Sequence, residues 1–240
     1  MQISFILVGS ESEENIGAAA RALKTMGFDR LILVDPAVSP GRISRYVAHG
    51  STDILEKMQI CSTLTEALAD TDYAVATTRP GRRLRKTPVE GQQLFRHLQE
   101  RRAAVRHVAL VFGRESRGMT NAELELCDAL SFLPQASPTP ALNLGQCVML
   151  YAWLLRQGMT TTPDESQASS DPVADGPEPQ YRHLRDGVDR LLPGLGIPAD
   201  GSTRQKIHGR LAMLSYEDMR LMQNLVQRLT RALNDPPPAP

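Results

Sequence analysis

The sequence predicts an α/β domain on a parallel sheet, followed by a small helical unit. Three observations carry that expectation. Short runs of almost wholly apolar residues recur through the first two thirds of the chain, helical periodicity fills the intervals, and Ser/Thr-to-Glu helix starts mark the joins. Strands that are apolar throughout, rather than alternating, are buried on both faces, as in a parallel sheet covered by helices on each side.

In chain order, residues 3–8 form the first run, bounded by Gly9 and Ser10. Residues 15–26 carry helical spacing and stop at Gly27, a residue suited to the left-handed turn that ends a helix. Residues 31–34 are a second strand, closed by Asp35 and Pro36. Thr63 with Glu66, Thr87 with Pro88 and Glu90, and Thr120 with Glu123 each fit a capping box, in which a hydroxyl and a carboxylate reciprocally satisfy orphan backbone amides. Residues 73–77, 108–112 and 129–133 are further strands, and residues 143–156 the last helix of this body, with Gly158 just beyond its end.

Residues 157–180 hold five acidic residues, no Lys or Arg, and few apolar side chains. Such a stretch cannot offset its ordering entropy by burial and is expected to be a flexible acidic linker. The body is therefore 1–156 and the helical extension 181–234, with a frayed tail at 235–240. In the extension, Tyr181, Leu184, Val188, Leu191 and Leu192 mark one amphipathic helix. Met219, Met222, Leu225, Val226, Leu229 and Leu233 mark another, opened by Ser215 with Asp218, and Ile207, Leu211 and Leu214 a short one between them.

Composition narrows the function. Of 240 residues 41% are hydrophobic and 22% charged, enough for a sizeable core. Lys+Arg and Asp+Glu tie at 27 each, which excludes a polycation of the histone kind but permits opposed patches. Cys61, Cys127 and Cys147 are odd in number and lack metal-ligand spacing, so no disulfide framework and no metal site is expected. No basic region precedes the N-terminal apolar run and no run approaches membrane-spanning length. A cytoplasmic protein is expected. Charge is segmented, because residues 79–106 hold nine basic residues against two acidic ones. Within them RPGRRLRK (79–86) is a Gly/Pro loop after a strand, with five cations and no anion. Phosphate contact by Arg82, Arg83, Arg85 and Lys86 is the better reading there.

Three loops follow candidate strands, where parallel sheets place ligands. Residues 10–27 carry Asn15 and Arg21; residues 110–124 carry Gly113, Glu115 and Gly118; residues 138–150 carry Pro138, Pro140 and Asn143. Taken singly, Asn15 and Asn143 are helix caps, Arg21 is a surface charge, and the glycines let backbone approach a ligand closely. No phosphate-loop or dinucleotide fingerprint is present.

Together, NIGAAARALKTMG, LVFGRESRGMTNAEL and PALNLGQCVMLYAWLL, in that order, resemble the three motifs of the SpoU-TrmH (SPOUT) family of RNA ribose 2′-O-methyltransferases, and within it the TrmJ/LasT-like branch. VAHGSTDI (47–54) and VATTR (75–79) resemble the same branch, and the resemblance covers about residues 1–156. It implies a parallel sheet with a deep C-terminal trefoil knot, a homodimer, S-adenosyl-L-methionine as cofactor, and tRNA (its anticodon loop, as for TrmJ) or rRNA as substrate. The implied cofactor residues are Thr77, Thr78, Arg79, Gly113, Leu133, Ala141, Leu142 and Leu144. Arg21 and Asn15 would meet the acceptor, Glu115 would fix the second loop, and Asn143 the third. Ala141 stands where many members carry Ser, which leaves a second reading open: a knotted RNA-binding protein that keeps the cofactor pocket without methyl transfer. A nucleotide-dependent oxidoreductase of ordinary topology is disfavoured by the missing fingerprint. The homodimer was expected to pair residues 15–26, through Ile16, Ala19, Ala20 and Leu23, with the helix bearing Val148, Met149, Tyr151 and Trp153.

Overall fold

A computed structural model describes residues 1–79, 86–102, 104–137, 141–161, 180–198, 202–212, 214 and 216–234. They group into two compact units. Gln2–His97 with His107–Pro172 form one; Leu98–Arg106 and Val173–Pro240, with Met1, form the other.

The first unit alternates strand and helix. It runs β1 (Gln2–Val8), α1 (Glu13–Met26), β2 (Arg30–Val34), α2 (Arg42–Ala48), α3 (Thr52–Lys57), β3 (Gln59–Cys61), α4 (Leu64–Ala67), β4 (Tyr73–Thr77), β5 (Val89–Glu90) and α5 (Gly91–Gln99). Then follow β6 (His107–Phe112), α6 (Asn121–Glu125), β7 (Ala129–Phe132) and α7 (Leu144–Thr161). Among the described residues the strands form one seven-stranded sheet, in the order β3-β2-β1-β6-β4-β7-β5. Every pairing in it is parallel.

Both faces are buried, as the near-continuous apolar strands require. Ile6, Val8, Ile32, Val34, Ala74, Ala76, Ala109, Val111 and Leu130 share one face with Leu64 and Leu68 of the α4 region and Met119 and Leu124 at α6. The other face is aromatic. Phe5 lies 5.2 Å from Phe28, just past α1, and 6.2 Å from Phe112, which meets Tyr151 of α7 edge-on at 5.7 Å. Tyr151 is fully buried and donates its hydroxyl to Ser131 Oγ at 3.1 Å. Helices α1 and α7 therefore cover one face, and α4 and α6 the other.

Several expectations need correction. Thr87 does not open a helix: Val89–Glu90 pairs with β7 as a short edge strand, and α5 begins at Gly91. Asn15 does not cap α1. Ser12 does, with Oγ accepting the Asn15 amide at 3.2 Å. α2, α3 and β3 were not foreseen, because they are only seven, six and three residues long and too short to display a period. Gly158 does not end α7, which runs on to Thr161. There a Cβ would stand 2.2 Å from Phe95 Cγ, so the glycine admits the Phe95 ring against the helix. The apolar stripe offered as a dimer face is core instead: Ile16, Ala19, Ala20, Leu23, Val148 and Tyr151 are all 1% exposed or less within this one chain.

The second unit contains α8 (Gln180–Leu191), α9 (Ser202–Leu211) and α10 (Tyr216–Asn234), with a 3-10 turn at Pro193–Leu195. Tyr181, Leu184 and Val188 of α8 are buried, as are Met219 and Val226 of α10. Gly187 brings α8 close enough that a Cβ would meet Val226 Cγ1 at 2.8 Å. Asp189 takes a bidentate grip from Arg204 at 2.8 and 2.6 Å and pairs with His208 at 2.7 Å. Leu225 and Leu229, read as buried-face residues, are exposed. Ser215 lies outside the described residues.

Gly158→Val is expected to destabilise the first unit by about 1–3 kcal/mol through overpacking against Phe95. Urea denaturation measures this, and Phe95→Ala should recover part of the loss in a double-mutant cycle. Additive losses would refute the packing account.

Candidate active site

The adjacent parallel strands β1 and β6 leave the sheet level with each other, Leu7 pairing with Phe112. Their following segments lead to opposite faces, one to α1 and the other to α6. Neighbouring strands whose connections diverge in this way open a crevice at their C-terminal ends.

Here the crevice is closed by two carboxylates. Glu115, from the loop after β6, accepts Asn15 Nδ2 at 2.8 Å, the Glu11 amide at 2.9 Å and Ser10 Oγ at 3.3 Å. Glu11, from the loop after β1, accepts the Ser116 amide at 3.0 Å and Ser116 Oγ at 2.7 Å. Each loop thus holds the other. Hydrogen bonding from Ser116 is the largest influence on the Glu11 carboxyl and, with Arg117 and Arg114 nearby, keeps it below the usual glutamate value.

The second loop also closes on itself. Gly118 has φ +69°, and its amide donates to Arg114 O at 2.8 Å. A Cβ on Gly113 would stand 2.4 Å from the backbone at Gly118 and Met119. Gly113 is therefore small for the sake of its own loop, a demand that the sequence did not reveal. Arg114 crosses Gly9, where a Cβ would meet its Nε at 2.6 Å, and grips Glu123 at 3.0 and 3.1 Å. Glu123 also closes the predicted capping box by accepting the Thr120 amide at 2.7 Å.

Helix α1 distributes the remaining groups. Its Glu13 accepts the amides of Gly41 and Ser44 at 2.9 and 3.2 Å, placing a carboxylate at the N-terminus of α2. Gly17 lies against Ser44 O, which a Cβ would approach to 2.4 Å, and Lys24 pairs with Asp53 of α3 at 2.5 Å. On the other side Ala18 packs on Gly145 of α7. At about 100° per residue, Arg21 falls roughly midway between the row facing α2 and α3 and the row facing α7. It is exposed, and no hydrogen bond or ion pair engages its guanidinium among the described residues. Asn15 and Arg21 point in directions about 120° apart, so one chain does not bring them to a single point.

Asn143 Oδ1 accepts the amides of Gly145 at 2.8 Å and Gln146 at 3.4 Å, capping α7. Cys147, one turn on, has its thiol pushed up to about 12 by burial, which makes it inert as a nucleophile. Cys61, Cys127 and Cys147 are free thiols.

The residues expected at the cofactor spread along the strand ends beside this clamp. Thr77 Oγ1 donates to Val111 O at 3.1 Å, and the Thr78 amide donates to Ser131 O at 2.8 Å. Thr78 Oγ1 is buried with no hydrogen-bond partner among the described residues. Leu133 and Leu144 are buried, Leu142 is half-buried, and Ala141 and Arg79 are exposed. Leu133 and Leu142 help line a cavity of about 500 Å³, closed by Gln92, residues 134–137, Leu150, Trp153 and Leu154. Thr77, Thr78, Arg79, Gly113, Ala141 and Leu144 do not line it. Of the basic loop, Lys86 turns inward and donates to the carbonyls of Cys127 and, at 3.5 Å, Leu124, beyond α6 and within its last turn. Arg82, Arg83 and Arg85 lie outside the described residues.

Sequence reasoning missed Glu11, Glu13 and Arg114. The first two sit in SESEEN, a run that reads as a solvated acidic helix start. Arg114 had a usable signal, since the carboxylate of the Thr120–Glu123 box needed a cation and GRES supplies one a few residues upstream.

Burial raises the Glu123 carboxyl, but the Thr120 amide and Arg114 outweigh it, and it stays below its ordinary 4.5. A depressed carboxyl stabilises the fold above the unfolded value and ceases to as pH falls through the folded one. The stability difference between the protein and its Glu123→Gln variant should be constant from about pH 7 to 5 and shrink below about pH 4. A difference unchanged down to about pH 3 in denaturation experiments would remove the ion pair from the account.

Comparison with known proteins agrees with this geometry. Residues 2–153 match the model of the SpoU rRNA Methylase family. The uncharacterized tRNA/rRNA methyltransferase LasT of Escherichia coli K12 is 40% identical over 234 residues, 96% of this chain and 98% of LasT. The tRNA (cytidine/uridine/adenosine-2′-O-)-methyltransferase TrmJ of Pseudomonas aeruginosa is 31% identical over 253 residues, 97% of this chain and 96% of TrmJ. Among solved structures, a probable methylase family protein from Haemophilus influenzae Rd KW20 superposes with TM-score 0.63 at 27% identity, covering 97% of each chain. With its family model matched across the whole clamp and its relatives aligned over nearly their full length, this chain belongs to the SpoU methylase family.

Proposed function

We propose that this protein transfers a methyl group from S-adenosyl-L-methionine to a ribose 2′-hydroxyl of RNA. The first substrate to test is tRNA, in particular its anticodon loop, and rRNA is the second. The observation that supports it best is the joining of Asn15 to Glu115 at the strand ends, with Arg21 free of protein partners on the same helix. TrmJ, a tRNA 2′-O-methyltransferase, supports tRNA, and LasT, a tRNA/rRNA methyltransferase, leaves both substrates in view.

S-adenosylmethionine, when bound, supplies an electrophilic methyl carbon on a sulfonium. The residues that would hold it are Thr77, Thr78, Arg79, Gly113, Leu133, Ala141, Leu142 and Leu144. The fit rests on Thr78, whose buried hydroxyl lacks a partner. Such a group costs about 1–3 kcal/mol when left unpaired, a cost offset by a polar ligand atom.

A ribose hydroxyl is a weak nucleophile that must be oriented and relieved of its proton. Guanidinium groups keep their protons in proteins, so Arg21 acts by gripping the acceptor phosphate and stabilising the developing alkoxide. The proton leaves to phosphate or water. Glu115 holds the Asn15 amide and so fixes the first-motif loop against the second, and Asn143 fixes the start of α7. Ala141 brings no hydroxyl to the third motif, so the reaction relies on the first-motif residues.

The active form is a homodimer. Leu150 and Trp153 are 40% and 43% exposed on the outer side of α7, an apolar face that a second copy would cover. β7 lies between β4 and β5 in the sheet, an order compatible with the trefoil knot that the resemblance implies. The body 1–156 then carries the chemistry and 181–234 serves as a helical extension beyond an acidic linker. No helix among the described residues is long and apolar enough to cross a membrane, which is compatible with a cytoplasmic enzyme acting on RNA.

Labelled methyl should pass from S-adenosylmethionine to unfractionated tRNA as an alkali-resistant ribose modification. Cofactor binding with no transfer to tRNA or rRNA would favour the RNA-binding alternative. Arg21→Ala should fold, retain the cofactor, and lose about a hundredfold or more in transfer, the scale for one preorganised charge. Arg21→Lys should recover little, because a point charge lacks the guanidinium fork. Near-normal turnover by Arg21→Ala would remove the residue from the mechanism.

A further inference from the structure

Helix α2 carries a surface that the clamp does not use. Its inner side is held by polar contacts, the Glu13 carboxylate on its first amides and the Gly17 approach to Ser44. Within the helix only Ser44 and Ala48 are buried. Its large side chains face outward, Tyr46 being 84% exposed and Ile43 46%. Arg42, Arg45, Tyr46 and His49 follow one another at helical spacing on one face, and all four are exposed. His49, the residue that ends the helix, holds φ at +21°, and Gly50 follows at +76°. A positive φ is uncommon for a side-chain-bearing residue and marks a backbone fixed by its context. Glu56 reaches Arg45 only at 3.8 Å, with both side chains more than half exposed, and Glu13 is engaged by the helix's own amides. Arg42 has no partner among the described residues.

We propose that this face binds an unpaired segment of the RNA substrate, with Tyr46 stacking on a nucleobase and Arg42 and Arg45 on the flanking phosphates. An exposed ring between cations is the arrangement that single-stranded RNA recognises, because every base offers a flat face while its phosphates need positive charge. A duplex keeps its bases stacked inside and cannot use the ring. The location agrees with that use. Glu13 and Gly17 set α2 along one flank of the ridge of α1 that carries Arg21, so RNA held there would lie beside the helix that bears the residue proposed to grip the acceptor. The inference rests on the proposed RNA methyltransferase activity and adds a positioning surface to it.

The test compares the full-length protein with Tyr46→Ala, Tyr46→Phe and the Arg42→Ala/Arg45→Ala double variant. Two probes are used, an RNA stem-loop with an unpaired loop and the same stem as a plain duplex. Tyr46→Ala should weaken stem-loop binding about tenfold to a hundredfold, while duplex binding, cofactor binding and thermal stability hold. Tyr46→Phe should keep most of the affinity, since the ring remains. The double variant should lower the salt dependence of binding by about two ion equivalents. With unfractionated tRNA, Tyr46→Ala should raise KM and leave kcat at saturating RNA nearly unchanged. Unaltered stem-loop affinity in Tyr46→Ala, alongside a wild type that binds and methylates RNA, would overturn the inference and spare the proposed function. Equal losses on loop and duplex would also overturn it. So would binding to anionic vesicles that depends on Tyr46 while RNA affinity does not. A wild type that neither binds nor methylates RNA would overturn both.

Discussion

Glu115 and Glu11 exchange hydrogen bonds between two loops that leave the sheet side by side, and that exchange sets the start of α1 and with it the groups that α1 carries. Each carboxylate takes a backbone amide and a side-chain donor of the opposite loop. Hydrogen bonds to ionised acceptors are the strong ones, and four such bonds fix the loops as one body. Because Glu115 claims the Asn15 amide group, Ser12 takes over the capping of α1. The helix so launched carries Glu13 to α2, Gly17 to the same helix, Ala18 to α7 and Lys24 to α3. Arg21 is left on the ridge between these rows. Its exposure is a consequence of the packing on either side of it.

Much of this was legible in the sequence because it is periodic or local. The near-continuous apolar runs gave the strands that build the centre of the sheet. Thr120 with Glu123 gave a real capping box, and Thr63 accepts the Glu66 amide as its spacing foretold. What was missed is non-local. Thr87 and Glu90 satisfy the same local pattern as Thr120 and Glu123, yet pairing with β7 draws Val89 and Glu90 into a strand. A local pattern cannot report a competitor forty residues away. Gly158 has the composition of a helix stop, but the Phe95 ring occupies the space that only a glycine leaves.

The site divides in the same way. Asn15, Glu115 and Asn143 could be named from the motifs they stand in, and the clamp brings the first two together. Their partners could not. Glu11 and Ser116 are ordinary surface residues until two loops about a hundred residues apart are set level by the β1–β6 register. The glycines of the second loop were read as openings for a ligand. Gly113 also has to admit the backbone of Gly118 and Met119, because a loop tight enough to aim Glu115 must first fold on itself. In the basic loop Lys86 meets the carbonyls at the end of α6, a favourable place for a cation, and no local pattern in the sequence announces that contact.

The topology also bears on where a ligand can go. In an open parallel sheet the crevice between strands with diverging connections is the usual binding place. Here that crevice lies between β1 and β6, and the paired carboxylates fill it. The neighbouring strand ends are those of β4 and β7. On that side Thr78 keeps a buried hydroxyl without a partner while its amide is tied to Ser131 of β7. A sequence selected for stability alone would place an apolar group there or supply an acceptor. The cost is retained at the position where the resemblance of the motifs places the methyl donor. Clamp and orphan hydroxyl thus contrast: the first satisfies its own polar groups and is rigid, and the second is a buried polar group beside it that the described residues leave open.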